Sequence, residues 1–136
     1  MTNDQPSAGI LDTSVFIANE SGRQLETSLI PDEVATTVVT LAELNAGVLA
    51  ARTSEIRARR LRTLDAVADM TALPVDEEAA QHWALLRVHL AEAGRRVRVN
   101  DLWIAAIAAA KQLPVVTQDD DFDVLEGVAG LAIVHV

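Results

Sequence analysis

The chain has 136 residues, the size of a single domain, and half of them are hydrophobic, so it can form a packed core. It contains no cysteine, which excludes a disulfide scaffold, a thiolate zinc site and a cysteine nucleophile. Its formal net charge of −9 argues against a protein that coats nucleic acid by bulk attraction.

Short apolar segments alternate with helical patterns from the start of the chain. Residues 1–8 are predicted to form a loose tail. Residues 9–12 predict a buried strand that ends in a carboxylate, and residues 13–17 predict the helical turn that follows it. A second strand is predicted at 34–37, and a helix follows it from Thr40 onward because apolar residues then recur with a helical period.

The same alternation continues to the end of the chain. The remaining predicted elements are helices over 54–68, 76–94 and 101–112 and strands over 115–117 and 131–134. Asp76 and Asn100 are the expected N-caps of the last two helices. Gly94 is a typical C-terminal stop, and Pro114 prevents the last helix from continuing.

This order of elements predicts one α/β domain over residues 1–136, with three α/β/α layers and a mostly parallel sheet. The strands are continuous apolar runs, as expected where helices cover both faces of a sheet. The longest apolar run, Leu102 to Ala110, is half the ~18 residues that a membrane span needs. The N-terminus has neither a basic start nor an apolar signal core, so a cytoplasmic protein without membrane contact is expected.

Carboxylates stand where the predicted strands end and where the predicted helices begin. Asp12 ends the first strand, a run from Asp119 to Asp121 follows a later one, and Glu43 and Asp101 lie near helix starts. In a parallel sheet these positions share one edge, so the acids converge and repel one another. Oxygen ligands without histidine or cysteine suit a hard divalent cation, Mg²⁺ or Mn²⁺.

Two of these acids also have a purely structural interpretation. Thr40 and Glu43 have the spacing of a helix capping box. Asp101 lies at a helix start, where the helix dipole favours any carboxylate. The constellation of acids is therefore more specific than either member alone.

Other site classes lack residues that they need. An EF-hand loop starting at Asp119 would have Val124 where it needs glycine and Gly130 where it needs glutamate. Ser14 stands where a DxDx phosphatase has its second aspartate, and no lysine follows Thr117 as a receiver domain requires. None of the histidines is expected near a strand end, which disfavours a serine–histidine–aspartate triad; they are His82, His89 and His135.

Most of the basic side chains fall into two arginine clusters. They are Arg52, Arg57, Arg59, Arg60 and Arg62, and then Arg87, Arg95, Arg96 and Arg98. Arginine is suited to forked contacts with phosphate, but solvated helix faces would carry the same pattern.

Four ordered motifs resemble those of the PIN-domain family. They are Ile-Leu-Asp-Thr-Ser-Val-Phe-Ile at 10–17, Thr-Leu-Ala-Glu-Leu at 40–44, Asn-Asp-Leu-Trp-Ile-Ala-Ala-Ile at 100–107, and Val-Val-Thr-Gln-Asp-Asp-Asp-Phe at 115–122. Their order and spacing, and the total length, are similar to the compact bacterial VapC toxins. The resemblance covers about residues 9 to 136.

The resemblance implies a metal-dependent endoribonuclease with an acidic quartet. The matching catalytic positions are Asp12, Glu43, Asp101 and Asp119, and those implied to hold Mg²⁺ or Mn²⁺ are Asp12, Asp101 and Asp119. The matching supporting positions are Thr13, Ser14, Thr117 and Asp121. The run of three aspartates leaves the fourth acid open, since Thr-x-Asp favours Asp119 and Asp121 precedes the phenylalanine.

The resemblance also implies partners. Toxins of this kind cleave structured RNA such as tRNA or ribosomal RNA, are silenced by a cognate antitoxin, and commonly form homodimers. The arginines expected to guide RNA are Arg57, Arg60, Arg95, Arg96 and Arg98. The alternative is an inactive PIN-like domain that only binds RNA or protein.

Overall fold

Five strands form one parallel sheet in a computed structural model that describes residues 6–136. The strands are β1 (Ala8–Leu11), β2 (Glu33–Thr37), β3 (Ala72–Leu73), β4 (Val115–Thr117) and β5 (Ile133–His135). Their order across the sheet is β3-β2-β1-β4-β5, and every neighbouring pair is parallel. The predicted α/β fold with a parallel sheet is therefore confirmed.

Five helices surround this sheet. They are α1 (Thr13–Glu20), α2 (Val38–Leu49), α3 (Ser54–Val67), α4 (Glu77–Ala93) and α5 (Val99–Lys111). The backbone N–H of Ala79 donates to the Asp76 carboxylate at the start of α4, and Gly94 ends that helix in the left-handed conformation (φ 64°), as predicted. None of the helices in the described part of the chain is long and apolar enough to cross a membrane.

Side chains of the central strands alternate between two apolar clusters, one on each face. Ile10 and Val115 belong to the cluster formed with α4 and α5, and Leu11 and Val116 to the cluster formed with α1. Most of α5 is fully buried, and its alanines allow the helix to pack closely. The helices thus cover both faces and leave the carboxyl edge of the sheet open.

Several predicted boundaries are wrong in the structure. The predicted tail is too long, because β1 begins at Ala8 and the Ser7 carbonyl accepts a hydrogen bond from the Glu33 backbone N–H at 3.1 Å; residues 1–5 of that tail lie outside the described residues. Asn100 is not an N-cap, because α5 already begins at Val99 and Arg98 occupies the cap position.

The edges of the sheet also differ from the sequence prediction. The two-residue strand β3 was not predicted, since an apolar pair is too short to show a strand period. The last strand runs to His135 rather than ending at 134, because it pairs in register with β4 through Thr117. This shift places His135 at the carboxyl edge.

Candidate active site

The four acids of the predicted quartet line a single cavity of about 370 Å³ at the carboxyl edge of the sheet. We call it the acid cavity. Its walls are formed by Asp12, Thr13, Ser14, Ile17, Arg23, Glu43, Arg98, Asp101 and Asp119. Side chains that are up to 107 residues apart in the sequence therefore meet in one place, as the parallel topology requires.

Asp12 is the most buried of the four acids, with 2% of its surface exposed. It ends β1 and occupies the N-cap position of α1, but its side chain makes no capping hydrogen bond. Instead, Ser14 Oγ donates to its Oδ1 at 2.6 Å and Thr117 Oγ1 donates to its Oδ2 at 2.9 Å. Both carboxylate oxygens are thus held by hydroxyl groups, one from the start of α1 and one from the end of β4.

The same two hydroxyls tie the end of β4 to the start of α1. Ser14 Oγ accepts a hydrogen bond from the Gln118 backbone N–H at 2.9 Å, and Thr117 Oγ1 accepts one from the Asp119 N–H at 3.0 Å. The backbone that carries Asp119 is therefore anchored to the hydroxyls that hold Asp12. These contacts give Ser14 and Thr117 a positioning role around the carboxylate.

Glu43 faces the acid cavity and does not close a capping box. The N-cap of α2 is Thr37, whose hydroxyl accepts from the Thr40 backbone N–H at 3.2 Å, so Glu43 lies beyond the first turn. Thr13 Oγ1 donates to Glu43 Oε1 at 2.8 Å. The structural interpretation of the Thr40 and Glu43 pair is therefore wrong.

Burial and mutual repulsion perturb two of the carboxyl groups. The pKa of Asp12 is raised to about 6, mainly by burial; the hydroxyls of Ser14 and Thr117 oppose the shift, and the charges of Asp119 and Asp101 add to it. The pKa of Asp101, in the first turn of α5, is also raised to about 6, first by burial and then by the charge of Glu43. The charge of Arg98 opposes the shift at Asp101 but does not cancel it, so the ionised forms of both carboxyl groups are disfavoured in this cavity.

The structure separates the three consecutive aspartates. Asp119 lines the acid cavity, whereas Asp120 and Asp121 line a neighbouring cleft of about 230 Å³ together with residues 95–98. The charge of Asp121 still helps to raise the pKa of Asp101, so it lies within electrostatic range of the quartet. Of the two possibilities that the sequence left open, Asp119 is the one beside the other three acids.

A second group of ligand-type atoms lies outside the acid cavity. Single ligand atoms of Asp120, Asp123 and His135 lie within 4.8 Å of one another, and all three residues are exposed. His135 Nε2 is 2.7 Å from Asp123 Oδ1. The expectation that no histidine lies near a strand end is wrong for His135, since the extended β5 carries it to the edge of the sheet.

The arginines predicted to guide RNA fall into two sets, one beside the acid cavity and one on α3. Arg98 lines the acid cavity, and Arg95 and Arg96 line the neighbouring cleft. By contrast, Arg57 donates to the Ala51 carbonyl in the connection between α2 and α3, and Arg60 donates to the Gly47 carbonyl in the last turn of α2. Their predicted contact with RNA stays a prediction.

Sequence reasoning missed Arg23 as a member of the site. Arg23 lines the acid cavity although it lies just after α1, outside every motif. Within residues 6–136 neither Arg23 nor Arg98 forms an ion pair, despite the four acids nearby. No pattern in the sequence marks Arg23, because only the turn after α1 brings it back to the cavity.

Comparison with known proteins identifies the family of this chain. The PIN domain family matches residues 9–128. Ribonuclease VapC5 of Mycobacterium tuberculosis is 70% identical over 131 residues, covering 96% of this chain and 97% of the relative. Ribonuclease VapC4 of the same organism is 40% identical over 124 residues, covering 91% of this chain and 95% of the relative.

A solved structure shares both the sequence and the backbone. It is the crystal structure of VapBC-5 from Mycobacterium tuberculosis, a member of the VapBC family of toxin–antitoxin systems. It superposes with a TM-score of 0.91 at 66% identity, covering 96% of this chain and all of the matched chain. With its acid quartet gathered at the edge of a parallel sheet and its motifs in family order, this chain belongs to the PIN domain family and, within it, to the VapC ribonucleases.

Proposed function

We propose that this chain is an endoribonuclease toxin that hydrolyses RNA phosphodiester bonds with a divalent cation held in the acid cavity. The observation that carries the proposal is the meeting of Asp12, Glu43, Asp101 and Asp119 in one cavity. The name of the 70% identical relative, a ribonuclease, supports the same chemistry.

The donor atoms and the electrostatics of the cavity fit a hard cation. Every ligand that the quartet offers is a carboxylate oxygen, which is the ligand type that Mg²⁺ and Mn²⁺ prefer. Burial and neighbouring acids raise the pKa values of Asp12 and Asp101. A bound cation would stabilise the ionised form of both carboxylates. Asp12, Asp101 and Asp119 are the residues that would hold it.

When bound, the cation supplies an acidified water molecule and neutralises charge on the phosphoryl oxygens. The residues of the chain then have separate tasks. Ser14 and Thr117 fix the direction of the Asp12 carboxylate through both of its oxygens. Thr13 holds Oε1 of Glu43, which leaves Oε2 to accept a proton from the attacking water.

Positive side chains complete the site for an anionic substrate. Arg23 and Arg98 line the same cavity and are not engaged in ion pairs within the described residues. The charge of Arg98 already acts on Asp101, and both arginines can contact the phosphate oxygens of an RNA strand, for which the fork of the guanidinium is well suited.

An antitoxin partner belongs to the same proposal. The solved relative is named as a member of a toxin–antitoxin family. An acidic cavity is a natural receptor for an arginine side chain of a partner, and an amphipathic partner helix could cover exposed apolar residues on α2 and α3, among them Leu49 and Leu61. A homodimer, and a hetero-oligomer that includes the antitoxin, stay predictions.

The test is to map RNA 5′ ends after expression of the wild-type chain and of Asp101→Asn, with Asp65→Asn as the matched control. Asp65 is an exposed acid of α3 outside the acid cavity. New 5′ ends are expected for the wild type and the control and not for Asp101→Asn. Purified wild-type protein should reproduce the cuts with Mg²⁺ and lose them with EDTA.

The competing function is a PIN-like domain that binds RNA or protein without cleaving it. RNA binding with no metal-dependent cleavage by the wild type would establish that alternative and overturn the nuclease.

A further inference from the structure

A second cavity of about 570 Å³ lies between the end of α4, the connection to α5 and the start of α5. We call it the tryptophan cavity. The residues that line it include Trp83, Arg87, Leu90, Arg95, Arg96 and Leu102. It is larger than the acid cavity, and the quartet does not contribute to it.

The charge of the tryptophan cavity is opposite to that of the chain. Three arginines, Arg87, Arg95 and Arg96, line it together with no acidic residue, although the chain as a whole carries a net charge of −9. None of the three takes part in an ion pair within residues 6–136. A concave surface with three unneutralised guanidinium groups favours an anionic ligand.

The apolar wall of the cavity is suited to a flat ring. Leu90 and Leu102 are buried at its wall, beside Trp83, whose ring stacks on Trp103 with centroids 5.2 Å apart. Trp83 Nε1 is buried and has no hydrogen-bond acceptor in the part of the chain that the structure describes. Arginines beside an apolar wall combine the two contacts that a nucleotide needs, one for its phosphate and one for its base.

Arginines connect the tryptophan cavity to the acid cavity. Arg95 and Arg96 line both the tryptophan cavity and the neighbouring cleft, and Arg98 lines that cleft and the acid cavity. The same cleft is also lined by Asp120, Asp121 and Asp123, so a strand that runs from the acid cavity to the tryptophan cavity meets the arginines of residues 95–98 together with these three acids.

We propose that the tryptophan cavity is a subsite that holds a nucleotide of the RNA strand near the bond that the acid cavity cleaves. This inference rests on the proposed ribonuclease function and adds Arg87 and Trp83 to the residues that contact RNA. An acidic segment of a protein would also suit the arginines, but three acids already line the cleft beside Arg95 and Arg96, and the arginines shared between neighbouring cavities lead to the acid cavity, which favours the substrate.

The test measures RNA affinity without cleavage, in the full chain carrying Asp101→Asn. The probe is a short single-stranded RNA of mixed sequence with a fluorescent label, and the readout is anisotropy at several salt concentrations. Arg87→Gln is compared with Arg52→Gln, an exposed arginine outside both cavities, so each variant loses one positive charge.

Arg87→Gln should weaken binding about three- to tenfold and lower the salt slope by about 0.7, the value for one phosphate contact to a single strand. Arg52→Gln should change neither quantity. The chain has two tryptophans and no tyrosine, so tryptophan emission reports on this cavity. RNA should change that emission, and Arg87→Gln should reduce the change.

Two results would overturn the subsite. One is equal affinity and salt slope for the two variants with unchanged tryptophan emission, while the wild type still cleaves RNA with Mg²⁺. The other is an emission change caused by a bound antitoxin and not by RNA, which would assign the cavity to a protein partner. Absence of metal-dependent cleavage by the wild type would instead count against the proposed function itself.

Discussion

Two groups of possible metal ligands lie near the end of β4, and they differ in burial and in how their side chains are held. In the acid cavity, Asp12 is buried and both of its oxygens are held by hydroxyls. In the other group, Asp120, Asp123 and His135 are exposed, although their ligand atoms approach within 4.8 Å. Close spacing of acids is therefore a weaker sign of function than burial with fixed orientation, because water screens exposed charges.

The largest difference between the two groups is expected from removing one charge in each. Asp12→Asn should lower metal-dependent cleavage by a factor on the order of 10³, since a metal site contributes several kcal/mol to catalysis. One of the two hydroxyls can still donate to the amide oxygen, and the other can accept from the amide N–H, so the variant should stay folded by circular dichroism. Asp123→Asn is the matched change in the exposed group and should retain cleavage within about twofold. Full activity of Asp12→Asn would remove the mechanism.

The second expected effect is a dependence of stability on pH. Because the pKa of Asp12 is about 6 in the folded chain against an ordinary value of 3.8, the folded state binds more protons than the unfolded state between these values. Without metal, stability should therefore fall as pH rises from about 4 through 6, by about 2–3 kcal/mol from this buried group.

Urea unfolding at pH 5 and pH 7 in EDTA measures that fall, and Asp12→Asn should reduce it. Added Mg²⁺ should restore stability at pH 7 and have little effect at pH 5, where the ligands are largely protonated. Stability that rises between pH 5 and pH 7 in both proteins would contradict the assigned burial of this carboxylate.

A smaller effect is expected from the hydroxyl that orients Asp12. Thr117→Val keeps the shape of the side chain but removes the hydrogen bond to Asp12 Oδ2. Because that bond lowers the pKa of Asp12, its loss should raise the pKa further and move the acid limb of the pH–rate profile upward. Cleavage at neutral pH should fall about tenfold. A fall in rate with an unmoved profile would show a merely structural role.

The smallest effect is expected in the exposed group. His135→Gln removes the contact with Asp123, and both side chains are about half exposed. Stability should change by less than about 0.5 kcal/mol in urea unfolding, and the rate of cleavage should not change. A large loss of Mg²⁺-dependent activity would give the exposed group a role that its solvation does not suggest.

Local patterns predicted much of the fold and the chemistry of the site. The α/β alternation, the cap at Asp76 and the stop at Gly94 follow from short-range interactions, and each is present in the structure. Asp12 and Asp101 could be selected because a parallel sheet brings strand ends and helix starts to one edge. Strand β3 was not predicted because its two residues carry no strand pattern. Its conformation depends on pairing with β2.

The sequence by itself determined the order of the elements, three of the four acids and the family to which the chain belongs, because these depend on spacing and residue type along the chain. Only the tertiary structure decided which aspartate of the run joins the quartet, that Thr13 holds Glu43, and that Arg23 returns to the acid cavity. These outcomes depend on contacts between residues far apart in the chain. An example is the hydrogen bond from Thr117 to Asp12, which lie 105 positions apart. No local pattern encodes such contacts, since packing and backbone pairing settle them together.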